Sequence, residues 1–323
     1  PKIGMLHNDG PDASGEIVTA DIGFPNLLEK KKDMHWSIFD DSDMKTLFPK
    51  LPRNSSKHSQ GKVLLIAGSK GMTGAAVLAG IGAMRTGAGL VKACVPESLN
   101  TIFETKMTEV MTIPCEDHDL GRLQMDNIKL LKSAIKWCDC VVIGPGIGNH
   151  SSTKNMVEKI VVTSNIPMVI DADALEIFYD NDQLLSKVEA PFIITPHCGE
   201  LSKILKVGKT HLENNFPEMA SNLSKNINGV LVAKNAPTIT LKGSHGIFNP
   251  SGNSGLSTGG TGDVLSGMLG SLMAQGFDPF IASQIGVFLH GKAADICARE
   301  LGQRGMIASD LLNTIPKAIA LYE

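Results

Sequence analysis

Short apolar runs alternate with longer helix-like stretches from about residue 60 onward, the pattern of a mostly parallel sheet flanked by helices. KVLLIAG (62–68), GLVKACV (89–95), CVVIG (140–144), PMVID (167–171), PFIIT (191–195) and GVLVAK (229–234) read as buried strands. TITL (238–241) and GIF (246–248), separated by KGSH, predict a late hairpin. Helical periodicity falls at 74–87, 152–163, 217–228, 263–276 and 280–300. The predicted fold class is α/β: one mostly parallel central sheet, helices on both faces and a helical C-terminal third. The first 35 residues break this pattern. They are turn-rich, only EIVTADIG (16–23) resembles a strand, and the charged EKKKD that follows resembles a linker. Such a segment cannot build a core of its own. It either packs along the main domain (36–323) or is the remnant of another domain, and the missing initiator Met favours the second.

Composition narrows the function classes. Of 323 residues, 42% are hydrophobic and 20% charged, ordinary for a soluble globular protein, and a net charge of −3 argues against a general nucleic-acid binder. Lys30 to Lys32 run directly into Asp33 and read as solvated linker. The six cysteines are scattered; Cys138 and Cys140 stand close, as C-x-C, which is not zinc spacing. No segment has the form of a secretory signal or a membrane span, so a reduced, cytoplasmic setting is expected.

The chemistry concentrates in STGGTGDVLSG (257–267), which joins a glycine-rich loop, one acid and an apolar helix. Gly259, Gly260 and Gly262 let backbone amides approach an anion. The helix starting near Asp263 points free N–H groups and its positive dipole end at the same spot. Asp263 can orient or deprotonate a substrate hydroxyl. A phosphoryl-transfer site follows, without the Gly-Lys-Ser/Thr end of a Walker loop; the structural alternative is a helix entry capped by Thr261 or Asp263. Other candidates fall at strand ends. GSKGMTGAAVLAGIGAMRTGAG (68–89) starts a small-residue helix able to pack closely on the sheet. GPGIGN (144–149) with Asp171 has nearly the spacing of a dinucleotide-binding domain, which makes a nicotinamide dehydrogenase the alternative on spacing. Asp171 and Asp173 end one strand, and Asp173 could cap the next helix. His197, in ITPHCGEL (194–201), ends another, and Lys234 a third, where it could hold a nucleotide phosphate or be a plain surface lysine.

Taken in order, GSKGMTGAAVLAG, VVIGPGIG, VIDADAL, ITPHCGE, NPSGNSGLSTGGTGDVLSG and FLHGKAAD resemble the ADP/ATP-dependent NAD(P)H-hydrate dehydratases of the ribokinase-like superfamily, over roughly residues 38–323. Residues 1 to about 27 resemble the tail of the NAD(P)H-hydrate epimerase domain fused ahead of the dehydratase in bifunctional members. The resemblance implies repair of hydrated NAD(P)H: ADP or ATP phosphorylates the C6 hydroxyl, and phosphate is then eliminated. It implies that Ala75, Gly146, His197 and Asp263 contact the hydrated nicotinamide substrate. It places Lys234, Asn235, Ala236, Pro237, Thr238 and Gly262 on the nucleotide, and the amides of Gly260, Thr261 and Gly262 around the transferring phosphoryl group. Mg²⁺ accompanying ADP, and a homo-oligomer, often a tetramer, are implied as well. The Thr-Pro-His turn resembles ADP-using members more than ATP-using ones. Two positions depart from the family. Asn235 replaces the glycine of Lys-Gly and is expected to tolerate a left-handed backbone, and Thr108 stands where proline is common. The helix dipole is expected to favour ionised Asp263 and so weaken it as a base. Rivals are an ATP-dependent small-molecule kinase of the same superfamily and a catalytically silent nucleotide sensor.

Overall fold

The apolar runs alternate between two buried layers. In Lys62–Ile66, Val63 and Leu65 enter one core while Leu64 and Ile66 enter the other. Cys140 and Val142 oppose Val141 and Ile143 in the same way, Val169 opposes Met168 and Ile170, and Val230 and Val232 oppose Leu231 and Ala233. Side chains of period two that are buried on both sides require cover on both sides. The computed structural model, which describes residues 2–7, 10–15, 17, 18, 23 and 35–323, supplies it. Helices Thr73–Arg85, Thr261–Ala274, Pro279–Leu301 and Ala308–Ile319 cover one face. Helices Ile128–Ile135, Ser151–Thr163, Cys198–Ile204 and Phe216–Lys225 cover the other.

The sheet has ten strands among the described residues: β1 (Trp36–Ile38), β2 (Lys62–Ile66), β3 (Leu90–Pro96), β4 (Met111–Cys115), β5 (Cys140–Ile143), β6 (Met168–Ile170), β7 (Phe192–Ile194), β8 (Val230–Ala233), β9 (Ile239–Lys242) and β10 (His245–Phe248). Their order is β1-β10-β9-β8-β7-β6-β5-β2-β3-β4. All neighbours are parallel except the pairs of β9 with β8 and with β10. From β2 the chain winds outward through β3 and β4, then returns to place β5 on the other side of β2. The crevice between the carboxyl ends of β2 and β5 is therefore the topological switch point, where open α/β sheets receive ligands.

The eight predicted strands and five predicted helices are all present, with bounds shifted by a few residues. Two edge strands, β1 and β4, escaped the pattern. β4 carries Pro114 and is largely open along one side, as an edge strand can be, and β1 is three residues long. The expected strand at 16–23 falls largely outside the described residues; Ile17, Val18 and Gly23, which are described, are not in a strand. Near the N-terminus His7 packs on the main domain, its ring stacked on Phe216 at 5.7 Å and Nε2 3.3 Å from the Glu213 carbonyl. Among the described residues no helix is long and apolar enough to cross a membrane.

The small-residue face of Thr73–Arg85 packs on another helix as well as on the sheet. It meets Thr261–Ala274 so closely that a methyl added at Gly267 would lie 1.9 Å from the Ala79 carbonyl oxygen, and one at Gly82 2.8 Å from that of Val264. Backbone cannot yield as a flexible side chain can. Gly267→Ala is therefore expected to destabilise by about 3 kcal/mol, the upper end for overpacking. Gly74→Ala, with nothing within 4 Å of the new methyl, should be neutral or stabilising by up to about 1 kcal/mol. Urea unfolding of the two variants checks the contrast.

Candidate functional site

Five chain segments deliver polar groups to the carboxyl edge of the sheet: the turns after β2, β5, β6, β7 and β8. The N-terminus of Thr261–Ala274 faces them. Gly260 is its N-cap, in the left-handed region at φ 95°, and a methyl there would lie 2.6 Å from Leu78 Cδ1. Neither Thr261 nor Asp263 is the cap, which corrects the structural alternative. Thr261 turns its hydroxyl back onto the Leu256 and Thr258 carbonyls, at 2.9 and 3.1 Å. The Val264 amide already donates to the Gly260 carbonyl at 3.1 Å. The amides of the first turn before it are thus the unsatisfied donors of a helix start.

Lys234 and Asp171 form the centre. Lys234 Nζ lies 2.9 Å from Asp171 Oδ1, with the carboxylate 1% and the lysine side chain 20% exposed. The Ser266 hydroxyl, one turn into the helix, donates to Asp171 Oδ2. Burial alone would raise the Asp171 pKa; the Lys234 ammonium and the Ser266 hydroxyl outweigh it and hold the carboxyl below its ordinary range. Lys234 is also carried to the helix start, since a methyl at Gly262 would come within 3.2 Å of Nζ. It is therefore not a plain surface lysine. Asp171 is engaged as its counter-ion, which removes the ribose-binding acid from the dehydrogenase alternative. Asp173, rather than capping a helix, accepts the Gly148 amide at 2.8 Å.

One ammonium cannot neutralise every acid here. Burial first, and the Asp171 charge second, push Asp263 up to about 7. This reverses the expected effect of the helix dipole, because desolvation outweighs it. Burial likewise raises Glu200 to about 7, although Glu200 accepts the His197 amide at 2.8 Å. His197 caps Cys198–Ile204, with Nδ1 accepting from the Gly199 and Glu200 amides at 2.9 and 3.3 Å. Burial and the Lys234 charge lower its pKa. With Nδ1 accepting two amides, the ring's other nitrogen, Nε2, is the one that carries a proton, and it lies 3.5 Å from Glu200 Oε2. Ala75 and Gly146 meet across the β2–β5 crevice: Gly146 is left-handed (φ 59°), and a methyl on it would lie 2.9 Å from Ala75 Cβ.

A cavity of about 790 Å³ lies beside this centre. Lys234, Asn235, Ala236, Pro237, Thr238, Thr261 and Gly262 line it, and so do Met5, Leu6, Gly15 and Ile17 from the N-terminal segment. Its far wall is loop 249–254, pinned where Asp295 accepts the Gly252 amide and the Asn253 side chain at 3.1 and 3.0 Å. Asn235 is not left-handed; the positive φ values outside glycine are at His118, Asp119, Ala172 and Lys206 among the described residues. The turn survives without that conformation, its Lys234 amide donating to the Pro196 carbonyl at 2.9 Å. Gly260, Ala75, Gly146, His197 and Asp263 lie outside this cavity's lining. Sequence reasoning missed Ser266, Glu200 and Asp295. Glu200 had a signal, the H-x-x-E spacing of a capping box; the others had none of comparable strength.

A family match described as NAD(P)H-hydrate dehydratase covers residues 63–317. The chain belongs to the NAD(P)H-hydrate dehydratase family. It is 33% identical over its whole length to a bifunctional NAD(P)H-hydrate repair enzyme of Moorella thermoacetica, of which it spans 61%. An ADP-dependent (S)-NAD(P)H-hydrate dehydratase of Xanthomonas campestris pv. campestris is 28% identical over 80% of this chain and 88% of its own. Among solved structures, the ADP/ATP-dependent NAD(P)H-hydrate dehydratase of Bacillus subtilis, co-crystallised with ATP and Mg²⁺, superposes with a TM-score of 0.76 at 28% identity, covering 90% of this chain and all of that one. A ribokinase-like superfamily protein of Enterococcus faecalis, with TM-score 0.78 and 20% identity over 90% of this chain and 97% of its own, shares the fold.

Lys234→Met removes the one close cation of a buried carboxylate among the described residues. Because the ammonium is one-fifth exposed, the loss at pH 7 is expected at about 3 kcal/mol, the low end for a broken buried pair. A depressed carboxyl stabilises above its unfolded value of about 3.9 and loses that contribution as pH falls through the folded value. The gap between wild type and variant should therefore narrow on acidification from pH 7. Urea unfolding at neutral and acid pH measures it; a gap that stays constant or widens would sink the assignment.

Proposed function

We propose that this chain is an ADP-dependent dehydratase of the S form of hydrated NAD(P)H, acting by phosphorylation of the C6 hydroxyl and elimination of phosphate. The observation that carries the reading is Asp263. It is an acid held near pKa 7 on the first turn of a helix whose amides are open, beside Lys234 and next to a nucleotide-sized cavity. The hydrated ring lies against Ala75, Gly146 and His197. The donor lies along Lys234 to Thr238 with its phosphates at Gly262. Asp263 aligns the C6 hydroxyl and takes its proton as the hydroxyl oxygen bonds to the β-phosphorus of ADP and the bond to AMP breaks. The amides of Gly260 to Gly262 and the Lys234 ammonium meet the charge spread over the transferring group. Hydroxide leaves poorly and phosphate leaves well. Loss of phosphate from C6 with a proton from C5 restores the double bond, so hydrated NADH and ADP become NADH, AMP and phosphate.

Mg²⁺ fits this site only as a companion of the donor. Among the described residues no group of three or more His, Cys, Asp or Glu side chains converges to hold a metal. Mg²⁺ characteristically rides on substrate phosphates with one or two carboxylates and water, where it neutralises phosphate charge. Residues 1–35 are read as the end of a preceding epimerase domain and its linker, a division that the length of the bifunctional relatives supports.

Incubation with hydrated NADH, Mg²⁺ and ADP is expected to restore the absorbance of reduced nicotinamide and to release AMP and phosphate. A stable phosphorylated product would instead identify a kinase. The rate is expected to rise with pH through about 7 as Asp263 loses its proton. Asp263→Asn should remove that rise and lower turnover at least about a hundredfold, with ADP binding retained. Retention of most of the rate in that variant would refute Asp263 as the base.

A further inference from the structure

A second, smaller pocket opens on the other side of the β2–β5 crevice, away from the donor cavity. Its volume is about 190 Å³, and Ser69, Lys70, Arg122, Gly148, Asn149 and His150 are in its wall. That is smaller than the roughly 300–1,000 Å³ of a pocket for a whole small molecule, and it suits a single anionic group. No carboxylate lines it. Among the described residues neither Lys70 nor Arg122 takes part in an ion pair. Arg122 Nε is buried without a hydrogen-bond partner in the protein, a state that costs free energy unless water or a ligand satisfies it. His150 caps the 13-residue helix Ser151–Thr163, its Nδ1 accepting the Ser152 amide at 3.2 Å, which leaves Nε2 as a donor.

The pocket is built rather than incidental. The loop that carries Arg122 is tied down by Asp117, 1% exposed, which accepts from the Ser98 amide at 3.1 Å, the Ser98 hydroxyl at 2.6 Å and the Gly121 amide at 2.6 Å. The Lys70 amide donates to the Gly121 carbonyl at 2.7 Å. His118 and Asp119, at φ 51° and 59°, are held in the left-handed region within that loop. Non-glycine residues stay there only where their surroundings enforce it.

Its position names the ligand. Ser69, in the pocket wall, donates its hydroxyl to the Gly146 carbonyl at 2.9 Å, and Gly148 lies two residues beyond Gly146, a reach of at most about 7 Å. If the hydrated ring lies against Gly146, as the proposed function has it, the group that falls here is one ribose away. We infer that Lys70, Arg122 and His150 hold the diphosphate of the hydrated dinucleotide, and so set the preference for a dinucleotide over a bare hydrated ring. The adenosine 2′-phosphate is a further ribose distant, so hydrated NADH and hydrated NADPH share the contact.

Arg122→Ala and Lys70→Ala, made separately in the whole chain, test this. In each, KM for both hydrated dinucleotides is expected to rise about tenfold or more, the loss of a charge-assisted hydrogen bond, while KM for ADP and kcat move less than about twofold. Nicotinamide mononucleotide should bind more weakly to the variants by calorimetry, and nicotinamide riboside equally well. Arg122→Lys should recover part of the affinity. Unchanged KM for both dinucleotides in an active enzyme overturns the assignment and leaves the dehydratase reading standing. A rise confined to hydrated NADPH also overturns it, by placing the 2′-phosphate here, and a rise in KM for ADP overturns it by placing the donor here. Failure of the wild-type chain to regenerate NADH removes the dehydratase reading and this inference with it.

Discussion

The ion pair between Lys234 and Asp171 is the constraint on which the site depends. Asp171 is fully withdrawn from water at the end of β6, and a bare carboxylate there would neutralise itself. Lys234 arrives from the end of β8, two strands away, and Ser266 from the facing helix. Sheet and helix are thereby fixed relative to each other through one carboxylate. The same pairing decides the neighbouring acids. With the ammonium committed to Asp171, burial and the Asp171 charge leave Asp263 near 7, and burial likewise leaves Glu200 there. The Lys234 ammonium thus keeps Asp171 ionised, while burial raises Asp173 and pushes Asp263 and Glu200 up to about 7.

Topology explains why groups far apart in the chain meet. Parallel strands deliver all their following turns to one edge, and the reversal between β2 and β5 opens a crevice there. Gly146 and Ala75 sit in it because both flank that reversal. The two glycine-bearing helices, in contact down to backbone separation, set the depth at which the start of Thr261–Ala274 reaches the edge. Bulk added between them displaces that helix start before it touches any polar group at the sheet edge.

Much of this was legible in the chain. Strands buried on both faces announce themselves as unbroken apolar runs, Asp171, His197 and Lys234 were visible as polar residues at the ends of such runs, and Asp263 as the one acid after a glycine-rich loop. Edge strands β1 and β4 were not visible, because a strand with one free side has little pattern to show. Partnerships across the fold were hidden for a different reason. Asp171 sits at a spacing that fits a ribose-binding acid, and only the approach of Lys234, 63 residues on, makes it a counter-ion. Ser266 looks like any small residue of an apolar helix. Asn235 was expected to tolerate a left-handed backbone in place of glycine, yet the loop closes without that conformation.

Asp263 shows most clearly why local rules could not settle the chemistry. At a helix start the dipole stabilises the ionised carboxyl by roughly 0.3–1 kcal/mol at an exposed surface, which pointed to a weak base. Burial beside a second carboxylate acts in the opposite direction and is larger. The balance has a mechanistic consequence. A carboxyl near 7 is about half ionised at neutral pH and still able to accept a proton, so it suits the proposed loose phosphoryl transfer, in which the hydroxyl proton departs late. In the proposed reaction the open amides of the first turn face the phosphoryl oxygens. One helix terminus serves both needs because burial, and not the dipole, sets the proton affinity of the acid it carries.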